Sequence, residues 1–382
     1  SIKIKVVKCK VCMLRSPHPF GIYFDKNICS GCLSFLKRKR VLPSWDAFDT
    51  ELLIRELKKT IGHLPEEVIV PFDSDGETWF VLDLLISLGI RPIVVYFNAQ
   101  YHDNVFFSIL SACQENYDVD FIGFSLPRDK IIFSISEEFS VGSGHCRNIE
   151  IFGRHAAALY VARHLGIENI ISGPNQQSEV VGSHSFLVKN QLKKPDFNDI
   201  VIGKKILPQV KKSIQNINSD FSKIFDENIV GNLFEKKHWH YLSDYIFWDS
   251  EAINNYYGEK FSIQPRIVNG YGACWQASSS SLKLEFYDLL RLINTGTSKI
   301  DSYLSREIRF GRMSRDEAVN KRNRYLKKDW DIVGISNFLD VPTCNIQKAL
   351  EIFLKGRRQL YTPNSFSGNG EFKIISHSQK LC

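Results

Sequence analysis

The stretch VIVPFDSDGETWFVLDLL, residues 68–85, contains an apolar strand, a polar turn and an apolar helix in immediate succession. A short apolar strand followed at once by a helix is typical of a parallel sheet that helices cover on both faces. In many phosphate-binding turns of this kind, backbone N–H groups and a helix N-terminus meet the anion. The stretch therefore raises the question of whether its turn binds a nucleotide.

The turn inside this stretch carries negative charge, which a phosphate site normally avoids. Asp73, Asp75 and Glu77 supply three carboxylates. The turn could still accept phosphate if Mg²⁺ bridged an aspartate and the phosphoryl oxygens. Acidic residues at a helix start are also ordinary caps that interact favourably with the helix dipole. The residues leave both interpretations open.

Working outward, strands and helices alternate on both sides of this turn. Strands are predicted at 67–73, 92–97, 119–125 and 168–172, and helices at 47–60, 77–88, 103–115 and 148–165. This alternation predicts an α/β fold with a parallel sheet that helices cover on both faces. The predicted domains are a cysteine module at 1–45, an α/β domain at 46–190, a mixed, mainly helical substrate or partner region at 191–360, and a peripheral tail at 361–382.

The composition is that of an ordinary globular protein, with 43% apolar and 24% charged residues among 382. No run approaches the roughly 18 apolar residues of a spanning helix, so we expect no membrane span. Residues 1–10 contain no apolar signal region, so we expect no export. The net charge of +7 does not call for a nucleic-acid partner. Nine cysteines at low density favour a reducing cytoplasm.

Two cysteine pairs in the first module have metal-binding spacing. Cys9-x2-Cys12 and Cys29-x2-Cys32 are separated by sixteen residues. Two such turns can present four thiolates to one Zn²⁺ in a tetrahedral arrangement. Because four cysteines close the coordination shell and leave no place for water, the spacing predicts a structural zinc site. Four unrelated buried cysteines are the alternative.

Several motifs occur in order along the chain. They are FDKNICSGC (24–32) after the first cysteine pair, Trp45-Asp46, IVPFDSDGETW (69–79), SGPNQQSEVVG (172–182) and EIRFGRMSRDEA (307–318). Together, over roughly residues 8–350, they resemble the N-acetyl sugar amidotransferase family of bacterial surface-glycan synthesis. That family is built on the PP-loop ATP pyrophosphatase fold. The resemblance implies a PP-loop-type α/β domain behind a zinc module.

The family's phosphate loop, Ser-Gly-Gly-Lys-Asp-Ser, aligns with six positions of this chain. They are Asp73, Ser74, Asp75, Gly76, Glu77 and Thr78. Glu77 and Thr78 are conservative exchanges, whereas acidic residues replace the first serine and the second glycine. The resemblance implies that these positions bind ATP and Mg²⁺, so this loop is a degenerate version of the family's.

Further candidate residues follow the other strands. The cofactor-binding candidates are Asn98 at the end of the second strand and Gly173, Asn175 and Gln176 after the fourth. With Glu77, the catalytic candidates are Cys146, Arg147 and Glu179. A helix N-terminus after Arg147 could lower the pKa of the Cys146 thiol, although a cysteine there is often simply packed.

Arg309, Arg312 and Arg315 form a dense basic stretch near the end of the resemblance. Their guanidinium forks could hold the phosphates of a nucleotide sugar or the carboxylate of a sugar. A solvated helix face is the alternative account of these three arginines.

The resemblance implies an ATP-dependent amidotransferase that converts an acetamido sugar into an acetamidino sugar, with ammonia from a glutaminase partner. Two other functions stay open. One is a PP-loop enzyme that thiolates RNA, and the other is a non-catalytic, PP-loop-derived partner subunit. The sequence also leaves open a homo-oligomer.

Overall fold

The computed structural model describes residues 7–16, 22–47, 49–72, 76–140, 148–174, 238–275, 285–290, 292, 298–348 and 350. The tail predicted at 361–382 lies outside these residues, as does the predicted domain boundary near 190.

The cysteine module consists of two small hairpins and a helix. Strands β1 (Val7–Lys8) and β2 (Arg15–Ser16) pair antiparallel, as do β3 (Phe24–Asp25) and β4 (Ile28–Cys29). Lys26 and Asn27 both have positive φ, 47° and 65°, which is the backbone of a tight two-residue hairpin turn. Helix α1 (Ser30–Val41) follows directly.

The α/β region alternates as the sequence predicted. After α2 (Thr50–Ile61), its elements are β5 (Glu67–Pro71), α3 (Glu77–Ser87), β6 (Arg91–Asn98), α4 (Asn104–Asn116), β7 (Asp120–Ser125), α5 (Arg128–Ser140), α6 (Asn148–Leu165) and β8 (Asn169–Ser172). The four predicted strands are present, with ends that differ by one or two residues. A fifth strand, β9 (His238–Tyr241), completes the sheet.

All five strands run parallel in the order β7-β6-β5-β8-β9. The predicted α/β fold with a parallel sheet is therefore confirmed. The sequence analysis placed His238–Tyr241 in the mainly helical C-terminal region, whereas the structure pairs it with β8. The Trp239 side chain secures the added strand by donating its indole N–H to Ser172 Oγ at 2.9 Å.

The remaining elements pack around the sheet. They are a short 3₁₀ turn at Leu242–Asp244, α7 (Ser250–Lys260), β10 (Arg266–Val268), β11 (Gly272–Cys274), α8 (Lys299–Arg309), α9 (Arg315–Lys327) and α10 (Ile332–Leu339). Residues 285–290 and 343–348 are also helical. Ser298 and Ser314 begin α8 and α9 with capping boxes, the second of which the Ser314–Glu317 spacing predicts.

The two faces of the sheet belong to two apolar cores. Ile69 packs into the core that contains α6 and the C-terminal helices, whereas its neighbours Val68 and Val70 pack into the core that contains α3 and α4. This division follows from the alternation of side chains along a strand. Burial on both faces explains why β5 is apolar at successive positions.

No helix in the described ranges is long and apolar enough to cross a membrane.

Helix α3 offers a matched test of this packing. Leu82 is fully buried, whereas Ile86 on the same helix is 43% exposed. We expect Leu82→Ala to lower the free energy of unfolding by about 2–5 kcal/mol, because it leaves a cavity in the core. Ile86→Ala should change it by less than about 0.5 kcal/mol. Urea denaturation of both variants measures the difference, and equal losses would contradict the burial assigned to these two positions.

Candidate functional site

The strand order creates a crevice at the carboxyl edge of the sheet. Strand β5 pairs with β6 on one side and with β8 on the other, so the chain winds in opposite directions from this point. Ligands of open α/β sheets bind in the crevice outside the carboxyl ends of two such strands. Here the crevice lies where the acidic turn leaves β5 and where Gly173 leaves β8.

At this edge, α3 begins with a backbone amide that already has a partner. The N–H of Gly76 donates to the Asn254 side-chain oxygen at 2.6 Å. The Asn254 amide group in turn donates to the Ser250 carbonyl at 2.8 Å, within α7. A side chain of α7 thus occupies the Gly76 N–H, which belongs to the turn that the sequence analysis predicts to bind phosphate.

Glu77 lies in the first turn of α3 and is only 3% exposed. Its carboxylate accepts a hydrogen bond from the indole N–H of Trp248. The N-terminus of a helix is a favourable place for this negative charge. The neighbouring Thr78 is equally buried. Glu77 and Thr78, the two conservative exchanges in the predicted phosphate loop, therefore face the protein interior rather than open solvent.

Trp248 connects the two turns that border the crevice. Besides its bond to Glu77, its ring lies so close to Gly173 that a Cβ there would be 2.9 Å from Cζ2. Gly173 therefore has no room for a side chain, and its carbonyl accepts from the Ser243 N–H at 3.2 Å. The sequence analysis missed Trp248, although the aromatic density of residues 238–250 was the signal that could have found it.

Asn98, a cofactor-binding candidate of the sequence analysis, takes part in a turn at the end of β6. Its side-chain oxygen accepts from the Gln100 N–H at 2.8 Å, and its carbonyl accepts from the Ser125 hydroxyl at 3.2 Å. Gln100 has a φ of 63°, as this tight turn requires. The Asn98 side chain therefore fixes the shape of the sheet edge one strand away from β5.

The other predicted crevice residues lie outside the described residues. They are Asp73, Ser74, Asp75, Cys146, Arg147, Asn175, Gln176 and Glu179. The structure thus places Gly76, Glu77, Thr78, Asn98 and Gly173 at the carboxyl edge, with Trp248 and Asn254 added from the C-terminal region.

Two of the three arginines predicted to bind an anionic group of the substrate contact residues of the protein instead. Arg312 donates to Glu307 and to Asp249, each at 2.6 Å. Burial alone would raise the pKa of the Glu307 carboxyl, but its bonds from Arg312 hold that pKa below its usual range. Arg309 points toward Cys12, with Nη1 4.0 Å from Sγ. Arg315 is exposed at the start of α9.

The four predicted zinc ligands form one buried cluster. Their sulfur atoms all lie within 4.8 Å of one another, and each of the four cysteines is at most 1% exposed; they are Cys9, Cys12, Cys29 and Cys32. Two of the separations are 3.9 Å (Cys9–Cys32) and 3.5 Å (Cys12–Cys29). Tetrahedral zinc at ~2.3 Å from each sulfur requires separations of about 3.8 Å. The cluster can therefore hold a metal ion such as zinc.

The backbone around this cluster is arranged to support thiolates. The N–H groups of Cys12 and Cys29 point at Cys9 Sγ at 3.5 and 3.3 Å, and that of Leu14 points at Cys12 Sγ at 3.5 Å. Such donors around a metal orient its ligands and stabilise their charge. Because Leu14 and Ile22 are the only other buried apolar residues of this small described core, a metal would be its main stabilising element.

Comparison with protein-family models and with curated proteins found no match to this sequence. A function for the chain must therefore be argued from the residues at the crevice and at the cysteine cluster.

The cysteine cluster predicts a specific metal requirement. Zinc content should be about one ion per chain in the wild type and below about 0.2 in Cys12→Ser, because loss of one thiolate opens the coordination shell. Cys344→Ser should retain the metal, since Cys344 lies outside the cluster. Elemental analysis of the purified proteins measures both, and retention of zinc by Cys12→Ser would contradict the assignment.

Proposed function

We propose that the chain is an ATP-dependent amidotransferase of the PP-loop type, which converts an acetamido sugar into an acetamidino sugar for a bacterial surface glycan. One structural observation supports the proposal most directly. The segments that resemble the family's two crevice motifs leave adjacent parallel strands, β5 and β8, at the topological switch point. This is the place where an α/β sheet of this winding binds a nucleotide.

The proposed reaction has two steps. The acetamido oxygen attacks the α-phosphorus of ATP, and pyrophosphate leaves. Ammonia then adds to the activated carbon, and AMP departs with the original oxygen, which leaves a C–N bond and a protonated amidine. The crevice would hold ATP so that its phosphates approach the N-terminus of α3, and Mg²⁺ would offset the charge of the acidic turn.

The remaining parts of this proposal come from the sequence: Cys146 and Arg147 from their place before a helix, and the others from the resemblance. Cys146, Arg147 and Glu179 would face the activated sugar, and Asn175 and Gln176 would line the nucleotide site. A glutaminase partner would supply ammonia, in the cytoplasm where ATP and the sugar precursor meet. The cysteine module would bind Zn²⁺ in a structural role.

A second candidate function is a non-catalytic subunit that binds a partner protein. The contact between Gly76 and Asn254 favours it, because an amide that donates at 2.6 Å to a side chain cannot donate to a phosphate at the same time. The buried carboxylate of Glu77, the next residue, adds negative charge at the start of α3. The RNA-thiolation alternative has no comparable contact in its favour among the described residues.

Product analysis tests the amidotransferase directly. Candidate acetamido sugars are incubated with the protein, ATP, Mg²⁺ and ammonium, and the products are examined by mass spectrometry. The expected product differs from the substrate by exchange of one oxygen for an NH group, with AMP and pyrophosphate formed in equal amounts. Failure to form AMP with any candidate sugar would favour the non-catalytic subunit.

Replacement of Glu77 separates the two candidates by the sign of its effect. Glu77→Gln removes the charge while an amide oxygen can still accept from Trp248. If the carboxylate helps to hold Mg²⁺, the affinity for Mg-ATP should fall by roughly tenfold, which corresponds to about 1.4 kcal/mol. If the carboxylate repels phosphate, the affinity should rise. Isothermal calorimetry measures both, with Glu51→Gln on the exposed start of α2 as the control.

A further inference from the structure

Arg309 brings a positive charge from the C-terminal region to the cysteine cluster. It is the last residue of α8, and its Nη1 lies 4.0 Å from Cys12 Sγ although 297 positions separate the two residues. The side chain is partly buried between α8 and the first cysteine turn. A guanidinium at this distance from a sulfur interacts strongly if that sulfur is a thiolate.

When the cysteine cluster holds a metal ion, its negative charge makes the contact with Arg309 important. Four thiolates and one divalent cation carry a net charge of minus two, and all four cysteines are at most 1% exposed. A buried anion of this kind needs compensating charge or hydrogen bonds, because water cannot supply them. The backbone N–H groups of the module provide dipoles, whereas Arg309 provides a full charge.

Other contacts also hold the cysteine module against α8. The Met13 N–H, between the cysteines of the first turn and Leu14, donates to Ser305 Oγ on α8 at 3.3 Å. Directly after α8, the Phe310 ring meets the Phe35 ring of α1 edge to face, with centroids 4.9 Å apart. The first cysteine turn and α1 thus both rest on the C-terminal end of α8.

The segment EIRFGRMSRDEA holds Arg309 in this place. Helix α8 is anchored by Arg306, which is 5% exposed and bonds to Glu251 at 2.9 Å. It ends in a tight turn at Gly311, whose φ of 73° suits glycine, and the Arg312 N–H closes that turn on the Glu307 carbonyl at 3.0 Å. The capping box of α9 then begins at Ser314.

We propose that Arg309 is an outer-shell partner of the metal–thiolate centre and that it couples metal binding to the docking of the cysteine module on α8. The guanidinium stabilises the loaded centre more than the empty one, because only loading by the metal holds all four sulfurs as thiolates. If metal binding strengthens the docking of the module on α8, docking must strengthen metal binding by the same free energy, because such coupling is reciprocal. Arg309 is thus a positioning residue for the metal centre.

The test compares metal affinity in three variants of the full-length chain. Competition for Zn²⁺ with a chromophoric chelator gives an apparent Kd for each. Arg309→Met should weaken Zn²⁺ binding by roughly ten- to a hundredfold, the usual effect of losing an outer-shell partner. Arg309→Lys, which keeps the charge without the planar fork, should lie between this variant and the wild type. Arg315→Met removes a charge from the exposed start of α9 and should leave the affinity unchanged.

A thermal measurement separates this role from simple packing. If Arg309 only packs, Arg309→Met lowers Tm equally with and without Zn²⁺, and the rise in Tm on adding Zn²⁺ stays that of the wild type. The proposal requires that this rise shrink in Arg309→Met and remain full in Arg315→Met. A zinc affinity of Arg309→Met equal to that of the wild type would overturn the proposal.

Hydrogen exchange in the wild type provides an answer even if Arg309→Met does not fold. Removal of Zn²⁺ with a chelator should speed amide exchange at Met13 and along the C-terminal half of α8, because the docked contact depends on the loaded centre. Faster exchange confined to the cysteine module, with none in α8, would show that the metal and α8 are not coupled.

Discussion

The burial of β5 in the middle of the sheet, between β6 and β8, organises the α/β region. Its successive side chains enter two different cores, and this burial on both faces fixes the register of the strand. Because β5 is the point from which the chain winds in two directions, the start of α3 lies at the crevice of the sheet. The site is thus a consequence of topology before any side chain is considered.

Side chains from the C-terminal region then define what this crevice can do. Trp248 bonds to Glu77 and lies against Gly173, and Asn254 accepts from Gly76. These contacts fix the start of α3 and bring the turns after β5 and β8 into one unit. The bond to Asn254 also occupies the Gly76 N–H, a donor that a phosphate would otherwise use.

Both candidate sites place negative charge inside the protein, and the fold compensates it in different ways. At the crevice, a helix N-terminus and an indole N–H stabilise the Glu77 carboxylate. At the cysteine module, backbone N–H groups and Arg309 surround the sulfurs, and a metal ion would supply the rest of the positive charge. The same C-terminal region, residues 238–318, contributes to both sites and so connects the module to the sheet.

Local sequence patterns were enough to predict the α/β alternation, four of the five strands, the capping box at Ser314 and the four cysteines that form one buried cluster. Each of these rests on local spacing, which short-range chemistry dictates. Long-range packing was needed to add His238–Tyr241 to the sheet as the fifth strand, to bring Trp248 to Glu77 across 171 positions, and to turn Arg309 toward Cys12. Those contacts join residues far apart in the chain, so no local pattern encodes them, and they form only when the cores on both faces of the sheet have packed.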